Sequence, residues 1–136
     1  MLQDTKVIKI QKFADKRGSL FVIENLLDGH FQIKRIFYIN FSGSDQYRGE
    51  HAHRETFQAF FGISGEIEIE LSNGHLSQKF LLKANEDGII IPPMIWIRLH
   101  STKENSILLV LASTTFDEYD YIRDKDIYFQ LIKGKR

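Results

Sequence analysis

Residues 48–65 read RGEHAHRETFQAFFGISG, and both the fold and the chemistry of the chain turn on them. Two histidines one residue apart, His51 and His53, follow Gly49, and the polar side chain of Gln58 comes before Gly65. Side chains alternate along a β-strand, so an H-x-H pair on a strand sends both imidazoles to one side. Aimed into a barrel, such a pair either joins further ligands around a metal ion or moves protons as free imidazoles.

Outward from this stretch the sequence reads as short β-rich runs ended by turn residues. Upstream, residues 7–13 and 19–24 flank the turn Asp15-Lys16-Arg17-Gly18, and a break follows at residues 27–30. Residues 34–41, KRIFYINF, are β-branched and aromatic and predict a well-buried strand ahead of a loop at 42–45. Downstream, Glu66, Glu68 and Glu70 alternate with Ile67, Ile69 and Leu71, one face for water and one for the core. Asn73-Gly74 is a strong hairpin signal, with residues 76–82 as the return strand. Three further runs occupy 87–91, 96–100 and 107–112, and Asp117 is placed to cap a short helix through 121–132. About nine or ten strands so closely spaced predict an all-β fold: an antiparallel jelly-roll barrel with a short C-terminal helix. A cavity at one mouth is the usual place for a small-molecule site.

The 136 residues suit one domain spanning 1–136, with 43% hydrophobic and 26% charged residues. Lys plus Arg and Asp plus Glu are 18 each, so no net field draws the chain to nucleic acid or to an anionic membrane. Cysteine is absent, which excludes disulfides and thiolate metal sites. Charges interrupt residues 1–18 too often for a signal or transit peptide, and the longest apolar run, 88–97, is short and contains Pro92 and Pro93. The expectation is a cytoplasmic protein.

The order of residues 48–65 resembles the first cupin motif, with Gly49, His51, His53 and Gly65 in place and Gln58 at the acidic position. In the second motif Pro92 is present, and Ile97 occupies the histidine position. A divalent first-row metal wants three or four anionic or imidazole ligands. Two histidines beside an amide and an aliphatic chain fall short of that, with His100 as a stray ligand at most. No metal and no cofactor are therefore expected, and the two imidazoles become candidates for acid/base work near neutral pH. His30 and His75 read as packing or surface residues.

The chain carries KRIFYI at 34–39, RGEHAH at 48–53, PPMIW at 92–96 and LASTTFDEYDYIR at 111–123. With DKRGSL at 15–20, these segments closely resemble the dTDP-4-keto-6-deoxyglucose 3,4-ketoisomerases, metal-free cupins of bacterial surface-sugar pathways. The resemblance implies a dTDP-linked keto-sugar substrate whose C4 ketone and C3 hydroxyl exchange through an enediol, toward a 3-amino-3,6-dideoxyhexose. It assigns His51 as catalytic base, His53 as proton-relay partner, and Tyr38 as a phenol donating to the C4 oxygen, with Phe37 the rival for the inward position. Arg48 would enter beside the histidines and Arg17 would reach the sugar. Lys34 or Arg35 would meet the diphosphate, only one of them, since neighbours on a strand face opposite ways. Gln58 and Ile97 complete the substrate-binding set. Arg17 matches the branch giving a galacto product, whereas Ile97 matches neither branch and loosens facial control, admitting some gluco epimer.

The resemblance also implies a homodimer that exchanges strands through its β-rich N-terminus. Two other functions remain open at this point. A 3,5-epimerase of the same sugar would abstract at C5 and want a His-Asp dyad, for which no aspartate near the motif offers itself. A non-catalytic sugar-binding cupin would use the same barrel without turnover.

Overall fold

The computed structural model describes residues 2, 4–29 and 31–134. His30 lies outside the described residues.

Two five-stranded antiparallel sheets face each other as a cupin jelly roll. The first has the order β1 (Lys6–Ile8), β9 (Gly88–Ile91), β6 (Gln58–Ser64), β11 (Ile107–Ala112) and β4 (Arg35–Asn40). The second runs β12 (Tyr121–Ile122), β5 (Tyr47–His53), β10 (Trp96–Ser101), β7 (Glu66–Ser72) and β8 (Ser77–Lys83). A separate hairpin joins β2 (Gln11–Asp15) to β3 (Gly18–Val22), and a helix, α1 (Lys125–Lys133), follows β12.

The alternation in β7 works as expected: Ile67, Ile69 and Leu71 are fully buried while the glutamates between them stay half-exposed. The inward set meets Phe60, Ile89, Ile91, Leu108 and Val110 of the opposing sheet. Each such aliphatic or aromatic side chain contributes roughly 1.5–3 kcal/mol on burial. β6 is buried on both faces, because Ala59 and Phe61 turn away from this core into a second cluster with Leu26, Phe31, Ile90 and Leu111. At Asn73-Gly74 the chain turns as the sequence indicates, with Asn73 Oδ1 accepting from the backbone N–H groups of His75 and Leu76. His75 is exposed in that turn.

Three elements depart from expectation. Residues 34–41 form an edge strand rather than a buried one, with Ile36, Tyr38 and Asn40 exposed and Arg35, Phe37 and Ile39 half-buried. The run at 7–13 divides between β1, which pairs with β9, and β2, which belongs to the outlying hairpin and has no buried residue. The C-terminal helix starts later than residue 121, because Asp124 is its N-cap and accepts from the N–H groups of Asp126 and Ile127. Asp117 caps a 3-10 turn, Glu118–Asp120, instead. After that turn Tyr121 and Ile122 extend as β12 and pair with β5, Tyr121 opposite His53 and Ile122 opposite Ala52. Tyr128 holds α1 down by packing on Trp96 and donating its hydroxyl to the carbonyls of Ser72 and Met94. Among the described residues no helix is long and apolar enough to cross a membrane.

Candidate active site

A cavity of about 310 Å³ opens between the two sheets, and β5 delivers its central groups. The register of β5 against β10 slips by one residue where Ile97 and Arg98 meet His51 and Gly49. Gly49 (φ 87°) and Glu50 (φ 62°) take left-handed conformations at the slip, the mark of a β-bulge. An extra residue reverses the alternation of faces. Arg48 and His51, three apart, therefore both border the cavity, while Tyr47 lies on the outer face, stacked on His100. Gly49 is required here twice over: a Cβ would stand 3.0 Å from the carbonyl oxygen of Ile97, in a backbone region that L side chains rarely adopt.

The H-x-H pair projects to one side as its spacing dictates. His51 and His53 meet edge to face with ring centroids 5.0 Å apart, and Tyr121 closes the group at 5.0 Å from His51 and 4.4 Å from His53. His51 forms cavity wall; His53, 2% exposed, lies one layer behind it. Burial and the adjacent His53 together push the His51 pKa down to about 4. The Gly49 backbone pulls the other way, although no hydrogen bond of ordinary length and angle reaches His51 Nδ1. Burial also lowers the His53 pKa, against the opposing pull of the Asp120 carboxylate, whose Oδ2 is 2.7 Å from His53 Nδ1. Both rings are neutral near pH 7.

The structure collects some of the sequence-derived candidates and not others. His51, Arg48, Gln58 and Ile97 all line the cavity. Gln58 is buried there, and its Oε1 has no hydrogen-bond partner among the described residues. Ile97 sits directly across from His51 on β10, so an aliphatic chain occupies the place beside the imidazole where a further ligand would stand. Among the described residues no cluster of three or more His, Cys, Asp or Glu side chains is arranged to hold a metal ion. His100, read above as a stray ligand, is on the outer face with Nε2 2.6 Å from Asp45.

Two placements correct the reading from sequence. Tyr38 touches the cavity rim, but its residue is 71% exposed and belongs to the outward set of β4, so Phe37 takes the inward position. The phenol inside the cavity is that of Tyr121, whose oxygen accepts from Arg35 Nη1 at 3.3 Å. Arg35 also lies over the Phe37 ring, 5.3 Å from its centroid; Lys34 is exposed. Arg17 stands at the tip of the β2–β3 hairpin, paired with Asp15, and is not among the residues lining the cavity. The chain's own hairpin does not bring it to the site.

Sequence reasoning missed Asp120, Tyr121 and Arg123. All three come from the stretch between the two caps, which it assigned to a helix. Arg123 lines the cavity, rests on the Tyr121 ring at 4.4 Å and is paired with Glu118. A His-Asp dyad does exist: its aspartate, Asp120, arrives from a distant part of the chain, and its histidine is His53.

Barrel and cavity together define a cupin whose cavity is lined by a histidine and two arginines. The family model described as FdtA: WxcM-like, C-terminal matches residues 3–133. The TDP-4-oxo-6-deoxy-α-D-glucose-3,4-oxoisomerase of Aneurinibacillus thermoaerophilus is 34% identical over 129 residues, 95% of this chain and 93% of that protein. The 3,4-ketoisomerase QdtA of Thermoanaerobacterium thermosaccharolyticum was solved as a histidine-to-asparagine mutant in complex with TDP-4-keto-6-deoxyglucose. It matches with a TM-score of 0.91 at 35% identity, over 99% of this chain and 98% of that one. Two enzymes from Campylobacter jejuni are each 32% identical over 95% of this chain. The TDP-quinovose 3,4-ketoisomerase WlaRB has a TM-score of 0.86 and 99% of its chain covered; the TDP-fucose-3,4-ketoisomerase WlaRA has 0.85 and 96%. The chain belongs to the WxcM-like family of sugar 3,4-ketoisomerases, and it is an isomerase.

Proposed function

We propose that this isomerase converts TDP-4-keto-6-deoxyglucose to a TDP-3-keto-6-deoxyhexose without a metal or cofactor, on a route to a TDP-3-amino-3,6-dideoxyhexose. The observation that carries the reading is His51: a neutral imidazole in the cavity wall, in a chain matching nearly the whole of a relative solved with that sugar. His51 Nδ1 is buried, which leaves Nε2 as the nitrogen for the substrate. His51 takes the C3 proton, acidified by the neighbouring ketone, as the C4 carbonyl oxygen gains a proton and the enediol forms. The C3 hydroxyl then loses its proton to become the ketone while C4 is protonated. One hydrogen has moved from C3 to C4 and one from O3 to O4, so no oxidant is consumed.

A positioned base contributes about 10² to 10⁴ in rate. Hydrogen-bond donors aimed at the developing enediolate oxygen supply the rest of the stabilisation. In this reading Tyr121 takes the donor role expected of Tyr38, Arg48 and Gln58 hold the sugar oxygens, and His53 relays protons behind His51. A galacto product with some gluco epimer follows from Arg17 and Ile97, and equal identity to the two Campylobacter enzymes favours neither product.

Arg17 reaches a sugar only if the hairpin serves a second copy of the chain, which supports a homodimer with exchanged strands. The exposed Phe13 and Leu20 of the hairpin, and Ile36 and Tyr38 on the edge strand, are apolar surface for such an interface.

The test is NMR of the sugar after incubation with enzyme. Wild type should move the ketone carbon signal from C4 to C3, and His51→Asn should slow this by about 10² or more. A second reading, 3,5-epimerisation, draws support from the His53–Asp120 dyad. It predicts inversion with the ketone still at C4. A sugar that binds but never changes would leave the non-catalytic reading.

A further inference from the structure

Asp120 is the one buried carboxylate among the described residues, 7% exposed, and it lies 67 positions from the histidine it touches. Both of its oxygens are engaged. Oδ2 is 2.7 Å from His53 Nδ1 and accepts from Thr56 Oγ1 at 2.5 Å; Oδ1 accepts from the Glu55 N–H at 2.7 Å. Thr114 Oγ1 is 2.6 Å from Thr56 Oγ1, so with the Thr56 proton committed to Asp120, Thr114 donates in turn. Burial by itself would raise the Asp120 pKa, yet the bonds from Thr56, His53 and Glu55 outweigh it and hold the value below the ordinary carboxylate range. An ionised carboxylate only accepts hydrogen bonds. The proton of neutral His53 must then sit on Nδ1, and Nε2, which has no hydrogen-bond partner among the described residues, carries the lone pair.

We propose that Asp120, anchored by Thr56 and the Glu55 amide, is a positioning residue that fixes His53 in its Nδ1–H tautomer with Nε2 as an open proton acceptor beside His51 and Tyr121. The inference rests on the ketoisomerase reading and deepens it by assigning the orientation of the relay. It concerns the orientation and tautomer of the second imidazole, since Asp120 itself is not among the residues lining the cavity. An asparagine at 120 can donate its amide N–H to Nδ1, which drives the proton to Nε2 and turns the acceptor into a donor.

The experiment compares wild type, Asp120→Asn and Thr56→Val by ¹⁵N–¹H correlation of the histidine rings and by kinetics on TDP-4-keto-6-deoxyglucose. Wild type should show His53 protonated at Nδ1, and Asp120→Asn should show it at Nε2. Its kcat should fall by about 100-fold or more with KM within about threefold, as expected when a proton acceptor is lost and binding is kept. Thr56→Val keeps the carboxylate and should lose about tenfold with the tautomer unchanged, which also serves if Asp120→Asn does not fold. His53 found protonated at Nε2 in wild type, or Asp120→Asn retaining wild-type kcat and pH profile, overturns the proposal. If wild type does not isomerise the sugar, the functional reading fails, and the ring spectra still decide whether Asp120 sets the tautomer.

Discussion

At His51, burial and a neighbouring imidazole both work against the cation, and the consequence has a sign. The folded pKa, about 4, lies below the ordinary 6.5, so the unfolded chain binds this proton more readily. The neutral ring's contribution to stability is fully present above pH 6.5 and is lost as pH falls from 6.5 toward 4, by up to roughly 3 kcal/mol. Urea unfolding at pH 7.5 and 5 should show the loss, and His51→Asn should reduce it. Activity follows the same group: kcat/KM needs the neutral base, so its acid limb should lie near pH 4, and a limb near 6.5 would mean that the base is an exposed imidazole. The H-x-H spacing disclosed His51 and His53 because a β-strand preserves face from one residue to the next but one, whereas Gln58 and Ile97 came from the likeness to the cupin motifs. It could not rank Phe37 against Tyr38, since which parity of β4 faces inward depends on the partner strand β11 and the opposing sheet.

Among the elements, the bulge in β5 is the most exposed to a single change. Gly49→Ala places a Cβ against the Ile97 carbonyl at positive φ and should cost about 1–3 kcal/mol. Relaxing the bulge would also turn Arg48 out of the cavity, so KM should rise along with the fall in thermal midpoint. An unchanged KM would show that Arg48 does not hold the substrate. The strand content of β7 and the turn at Asn73-Gly74 were legible because periodicity and turn chemistry are local. The stretch 117–123 was not. Asp117 and Asp124 are equally good caps by residue type, and the choice depends on Tyr121 and Ile122 finding the free edge of β5, a contact between segments 68 to 70 residues apart. Asp120, Tyr121 and Arg123 were hidden by that one ambiguity.

On the scale of the whole molecule, the two facing sheets build the cavity, whereas the β2–β3 hairpin contributes nothing to it within one chain. If the hairpin completes a partner's site, sizing should give a dimer, and an equal mixture of Arg17→Ala and His51→Asn should form mixed dimers with one intact site of two, bringing the mixture to about a quarter of wild-type activity after random exchange. No recovery on mixing would mean that the hairpin does not complete a partner's site. The barrel was readable from strand spacing, but the separate N-terminal hairpin was not, because β2 pairs only with β3 and buries no residue against the two larger sheets. The central claim, that the His51 imidazole removes the C3 proton and the enediol is reprotonated at C4 from a group in exchange with solvent, is tested most directly by running the reaction in D₂O and locating the label by NMR. The account predicts deuterium at C4 of a product whose ketone is at C3, abolished in His51→Asn; deuterium at C5 with the ketone still at C4 would contradict it.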